Sequence, residues 1–219
     1  MLGAVAGVYA ARVALAWARY GDPPSASADE RDLLLDRFMP EYDIAERHHV
    51  RVHAPAAITL GAARRVDLQR PLLVRTIFKA RAVLLGAKTA TVARPEGLLE
   101  ELTALGWRVL AEEPGREVVI GAVTQPWLAD VVFRGLAPEA FVAFHEPGFV
   151  KIAWTLRADP IGPDETIFRT ETRVTATDDE ARRRFRWYWS RFSPGIVLIR
   201  RLVLRSLKHD AERAASTAR

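Results

Sequence analysis

Two strand-length runs, 149–158 and 165–176, lead into one long segment in which the hydrophobic period changes. There Phe185, Tyr188, Trp189, Phe192, Ile196, Ile199, Val203 and Leu207 follow the three-, four- and seven-residue spacing of a single helical face. The phase survives Ser193-Pro194-Gly195, so the pattern predicts one helix, kinked where Pro194 lacks an N–H and presses on the preceding turn. Thr177 and Glu180 have the spacing of a capping box and predict its start.

Upstream, residues 44–53 alternate strictly. Ile44, Glu46, His48, Val50 and Val52 fall on one side, and Ala45, Arg47, His49, Arg51 and His53 on the other, the pattern of a half-buried strand. Pro55 opens a helix, and a second helical stretch runs from Pro71 to Leu85. Residues 86–97 read as a loop, and Leu98–Leu105 as a short helix closed by Gly106. Trp107–Glu112 and Glu117–Val123 flank Glu113-Pro114-Gly115-Arg116 and predict a hairpin whose second arm, apolar on both faces, is central in a sheet. Residues 140–146 read as a further strand turned at Pro147-Gly148, and Asp159–Asp164 as the turn before the last strand. The chain divides into an apolar helix (1–20), a Pro/Ser-rich linker (21–37), one folded domain (38–214) and a tail (215–219).

Charge changes this picture at the C-terminal end. From residue 181 onward eleven basic side chains face only Asp210 and Glu212, whereas the rest of the chain is net acidic, although the whole carries +5. Arg183, Arg191, Arg201, Arg205 and Lys208 fall opposite the apolar stripe, with Trp187 among them. A basic face with an indole suits an anionic membrane surface. Nucleic acid could use the same charge, but stacking aromatics on an exposed sheet are not evident, so it ranks lower. The 1–20 segment admits three readings: a membrane or membrane-surface helix burdened by the central Arg12, a helix packing on the protein, or a signal sequence. The chain is accordingly placed as cytoplasmic or membrane-associated.

The chain lacks cysteine, which excludes disulfides, thiolate metal sites and a cysteine nucleophile. The five histidines supply no His-Glu-x-x-His spacing and no third ligand, so no metal site is expected. No nucleophile elbow, phosphate-binding glycine loop or dinucleotide fingerprint is present, and no cofactor is implied.

His49-Val50-Arg51-Val52-His53-Ala54-Pro55, Leu105-Gly106-Trp107-Arg108-Val109 through Val118-Val119-Ile120, and Phe149–Trp154 through Thr170–Val174 carry a resemblance. In this order, roughly 42–212, the chain resembles the START-like superfamily of lipid-transfer domains and polyketide cyclases. That resemblance implies an α+β helix-grip fold: a curved antiparallel sheet wrapped around a long C-terminal helix, with two short helices after the first strand. It further implies an apolar cavity between sheet and helix, lined here by Val50, Val118, Ile120, Ile152, Trp154, Phe168, Phe185, Trp189 and Phe192. On the last strand, Thr170 and Thr172 share a face, and with that face inward their hydroxyls orient a ligand carbonyl.

Within that frame Glu46 and His48 share the face of Val50 and could exchange a proton inside a cavity. The leading expectation is non-catalytic binding or transport of a lipid or other hydrophobic small molecule at a membrane surface. An aromatase/cyclase-like enzyme using Glu46 and His48 is the alternative, and a partner-binding domain with a filled core the third.

Overall fold

In the computed structural model, which describes residues 2–66 and 97–218, the strand predicted to be central is buried along its whole length. It lies in an antiparallel six-stranded sheet built from β1 (Ile44–Val52), β2 (Arg108–Glu113), β3 (Glu117–Thr124), β4 (Phe133–Arg134), β5 (Val150–Gly162) and β6 (Glu165–Ala176). The order is β1-β6-β5-β3-β2, with β4 pairing on β3. The helices are α1 (Leu2–Ala18), α2 (Leu33–Asp36), α3 (Ala56–Arg64), α4 (Leu98–Ala104), α5 (Pro138–Ala143) and the 39-residue α6 (Asp179–Thr217). This is an α+β helix-grip architecture: a curved antiparallel sheet with the long C-terminal helix laid across one face. The expected helix at Pro71–Leu85 and the 86–97 loop lie outside the described residues, apart from Gly97, whose carbonyl accepts from Glu101 N at the start of α4.

β3 needs apolar side chains on both faces because both faces are covered. On the inner face Val118 and Ile120 meet Leu156 and Phe168 of the sheet, Leu60 and Ala63 of α3, Leu102 of α4, and Leu204, Leu207 and Ala211 of α6. On the outer face Val119 and Val123 meet Leu34 and Leu35 of α2, the following Phe38 and Met39, and Phe141 of α5. Gly121 sits where a Cβ would lie 2.6 Å from Leu110 Cδ1, so this crossing of β3 and β2 has no room for a side chain. A third cluster closes the other end: Ile44, Val150 and Val174 against Phe185, Tyr188 and Trp189 of α6.

Several local outcomes differ from the sequence reading. Residues 140–143 belong to α5 and 144–146 follow it without forming a strand, because Pro138 occupies the first helical turn where its missing N–H is harmless. The β5–β6 pairing continues to Gly162↔Glu165 across a register irregularity, which shortens the expected turn to Pro163-Asp164. α6 is capped by Asp178, which accepts from Ala181 N at 2.8 Å, whereas the Thr177 hydroxyl is engaged by the N–H and carbonyl of Phe149. Residues 21–37, read as a linker, carry α2 and bury Leu34 and Leu35 against the sheet.

α1 lies along α6. Tyr9 donates its hydroxyl proton to Arg191 O at 2.5 Å, Arg186 donates to Trp17 O at 3.1 and 2.9 Å, and its guanidinium stands 4.4 Å from the Trp17 ring. Ala16 and Tyr20 join the Phe185 cluster. No helix of the described residues is long and apolar enough to cross a membrane.

Candidate functional site

Strand alternation sends Glu46, His48 and Val50 of β1, Ile152 and Trp154 of β5, and Thr170 and Thr172 of β6 toward α6. Register then brings them together: Glu46 pairs with Thr172, His48 with Thr170, and both threonines are matched across β5 by Trp154 and Leu156. Both ends of the sheet–helix contact are closed by buried side chains, Phe185 and Trp189 at one and Leu204 and Leu207 at the other. Between them Val50, Ile152 and Trp154 on the sheet, and Phe192, Ile196 and Val203 on the helix, are only half-buried. The middle of the contact is therefore a seam that solvent reaches.

The polar groups of this seam form one cluster. Trp154 Nε1 donates to Thr170 Oγ1 at 2.5 Å, leaving that hydroxyl its own proton to donate. Arg200 Nη2 donates to Thr172 Oγ1, and its guanidinium lies 5.3 Å from the Trp154 ring centroid. His48 Nε2 stands 2.9 Å from Glu46 Oε1, yet without hydrogen-bond alignment, so this shielded ring nitrogen makes no hydrogen bond. The His48 and Glu46 side chains are 13% and 25% exposed, which puts the pair at the mouth of the seam. Burial pushes the Arg200 guanidinium down to about 10, with the Glu46 charge opposing the shift, so it stays protonated at neutral pH.

The residues expected to line a cavity thus divide. Val50, Ile152, Trp154 and Phe192 border the seam, whereas Val118, Ile120, Phe168, Phe185 and Trp189 are buried in the flanking clusters, and Thr170 is buried with its hydroxyl turned to Trp154. Of the basic face, Arg183, Arg191, Arg201 and Arg205 are exposed, as is Trp187, over whose ring Arg191 lies at 4.1 Å. Lys208 departs from that set. It is four residues from Leu204 and adjoins the apolar stripe, and its Nζ donates to Arg51 O at 2.7 Å and to Glu212 at 2.6 Å.

Sequence reasoning missed Arg200 as a site residue. The signal was its position, four residues after Ile196 and three before Val203, where the stripe calls for an apolar side chain. It also missed the outer-face charges. Arg157 donates to Arg31 O and Asp159, Arg169 to Asp159 and Asp29, and Arg173 to Glu171, Asp36 and Met39 O, so the sheet's arginines clamp residues 29–39 in place. The partly open pocket there, about 20 Å³, accommodates water at most. A wider concavity of about 640 Å³ lies between α3 and the end of α6, lined by Arg65, Asp210 and Arg213, the last two paired at 2.7 Å. Among the described residues no group of three histidines and acids is disposed to hold a metal ion.

No protein-family model and no curated protein matches the chain. Among solved structures it is similar to the di-domain ARO/CYC BexL from the BE-7585A biosynthetic pathway, at 14% identity and a TM-score of 0.30, over 77% of this chain and 46% of that one. It is also similar to the Zhui aromatase/cyclase from Streptomyces sp. R1128, at 15% identity and a TM-score of 0.24, over 77% of this chain and 93% of that one. The chain spans about half the length of the di-domain protein.

Proposed function

We propose that this protein binds a lipid or other hydrophobic small molecule in the seam between the inner face of the sheet and α6, without chemical turnover. The reading rests on one observation: half-buried apolar side chains on both facing elements, Ile152 and Trp154 opposite Ile196 and Val203, surround a small set of convergent polar groups. Apolar walls supply affinity in proportion to the area they remove from water, and a few fixed donors supply orientation. Exposed Trp187 and the arginines around it support a membrane surface as the place of loading.

Native mass spectrometry of the gently purified full chain, followed by solvent extraction, tests the binding reading. A co-purifying apolar compound that is lost with Trp154→Ala, while the melting transition is retained, is the expected result. A chain that carries nothing and takes up no apolar probe would remove it.

The Glu46–His48 contact at 2.9 Å favours a second reading, an aromatase/cyclase-like enzyme in which the pair moves a proton on a bound substrate. The two readings separate on Glu46→Gln and His48→Ala. Turnover abolished with ligand affinity intact is the enzyme's signature, and affinity unchanged with no turnover in any variant that of the carrier.

A further inference from the structure

α6 turns one charged side chain into the apolar seam. Arg200 occupies the sheet-facing stripe between Ile196 and Val203, both of which pack on the apolar clusters. One of its terminal nitrogens is satisfied by Thr172, but Nη1 is closed to solvent and meets no acceptor. Among the described residues no carboxylate lies within ion-pair distance of it. Glu46 is close enough to be felt by Arg200, but its carboxylate stands beside His48 Nε2, 2.9 Å away. A buried guanidinium lacking a counter-charge is costly, and proteins pair or neutralise such groups. Beyond the bond to Thr172 and the approach to the Trp154 ring, nothing in the packing requires the charge, since methionine or leucine would continue the stripe.

We propose that Arg200 anchors the carboxylate of an amphipathic carboxylic acid whose apolar body lies along Ile152, Trp154 and Val203. This rests on the binding reading above and adds the ligand's polar end. The donor left open, Arg200 Nη1, matches one oxygen of a planar monoanion. A phosphate dianion brings more acceptors than the seam can satisfy and a second charge beside Glu46. A neutral carbonyl leaves the guanidinium uncompensated.

The test uses the full chain and two fluorescent probes of identical body, dansylaminoundecanoic acid and its methyl ester. The acid is expected to bind the wild type about tenfold tighter or more, a factor equivalent to about 1.4 kcal/mol or more. Arg200→Met is expected to bind the ester as the wild type does and to lose the preference for the acid. Because the substitution removes an uncompensated buried charge, its melting temperature is expected to stay level or rise, and Arg200→Gln serves as a second variant. Equal binding of acid and ester by the wild type overturns the carboxylate anchor while leaving the binding seam in place. A preference for the acid that persists in Arg200→Met overturns the assignment to this residue. Failure of both probes to bind overturns the seam itself and the anchor with it.

Discussion

Glu117 of β3 and Asp32, the residue capping α2, meet carboxyl to carboxyl where the covering segment lies on the outer face of the sheet. Glu117 is 4% exposed and accepts from Thr155 Oγ1 at 2.8 Å, and Asp32 is 2% exposed with Arg157 3.7 Å away. Burial, then the charge of Asp32 and the hydrogen bond to it, push the Glu117 carboxyl from 4.5 up to about 8. The attachment of α2 to the sheet therefore contains a proton held at neutral pH.

That proton makes stability depend on pH in a defined direction. Between 4.5 and about 8 the folded chain keeps a proton on Glu117 that the unfolded chain has released. Stability from this group is thus full below about 4.5 and falls as pH rises through the window, the loss being complete above about 8. Glu117→Gln keeps a hydrogen-bond donor toward Asp32 and removes the titration. Melting temperatures measured from pH 5 to 9 should decline less in the variant than in the wild type, and parallel curves would contradict the shared proton.

Arg173 holds the same covering segment from the next strands. It is 2% exposed, donates to Glu171 at 2.8 Å and to Met39 O at 2.8 Å, pairs with Asp36 at 2.5 Å and stacks 4.6 Å from the Tyr42 ring. Truncation leaves the buried Glu171 with Arg47 as its remaining cation, 3.0 Å away, and takes the guanidinium from the Met39 carbonyl in a closed environment. Arg173→Ala should cost about 3–5 kcal/mol in urea unfolding. Amide exchange over 33–39 should rise more than exchange in β3, and a uniform rise would mean that the clamp is not local.

How far the sequence could reach follows from these residues. A strand has period two, so the alternation over 44–53 was enough to put Glu46 and His48 on the face that register later brings to Thr170 and Thr172. The stripe from Phe185 to Leu207 likewise specified which side of α6 meets the sheet. Arg200 escaped because a charge is ordinarily assigned to solvent, although its place in the stripe contradicted that. The outer-face arginines escaped for another reason: cross-strand pairing accounts for Arg169, Glu171 and Arg173 within the sheet, and nothing in a prolyl, serine-rich stretch announces that it will cover them. The one available sign was Asp32 directly ahead of Leu33-Leu34-Leu35, a cap followed by an apolar run.

α1 offers a separate test. Tyr20 packs edge-on against Phe185 with ring centroids 6.2 Å apart, and Trp17 covers Arg186, so the segment contributes to the cluster that closes one end of the seam. Deleting residues 1–20 uncovers one aromatic side chain's worth of apolar surface. The expected loss is about 2 kcal/mol, or about 4–8 °C in melting temperature. An unchanged transition would mean that α1 only rests on α6.

The exposed surface beside α1 predicts membrane behaviour that depends on lipid charge. Val8, Leu15 and Trp17 of α1 and Trp187 and Leu198 of α6 are exposed, and Arg183, Arg191, Arg201 and Arg205 lie along the same long helix. Each arginine near an anionic bilayer contributes about 1 kcal/mol of attraction, which salt screens. Reversing Arg201 and Arg205 to glutamate should therefore weaken binding to phosphatidylserine-containing vesicles by at least about tenfold and leave the weaker binding to neutral vesicles unaltered. Lys208 is excluded from the substitution because its bond to Arg51 O holds α6 to β1, and its loss would confound attachment with folding. Trp187→Ala separates the apolar from the electrostatic part: it should weaken binding to both kinds of vesicle, since an indole inserts irrespective of headgroup charge. If sedimentation finds wild type and the double reversal equally bound to anionic vesicles, the basic face of α6 is an outer surface of the fold and no more.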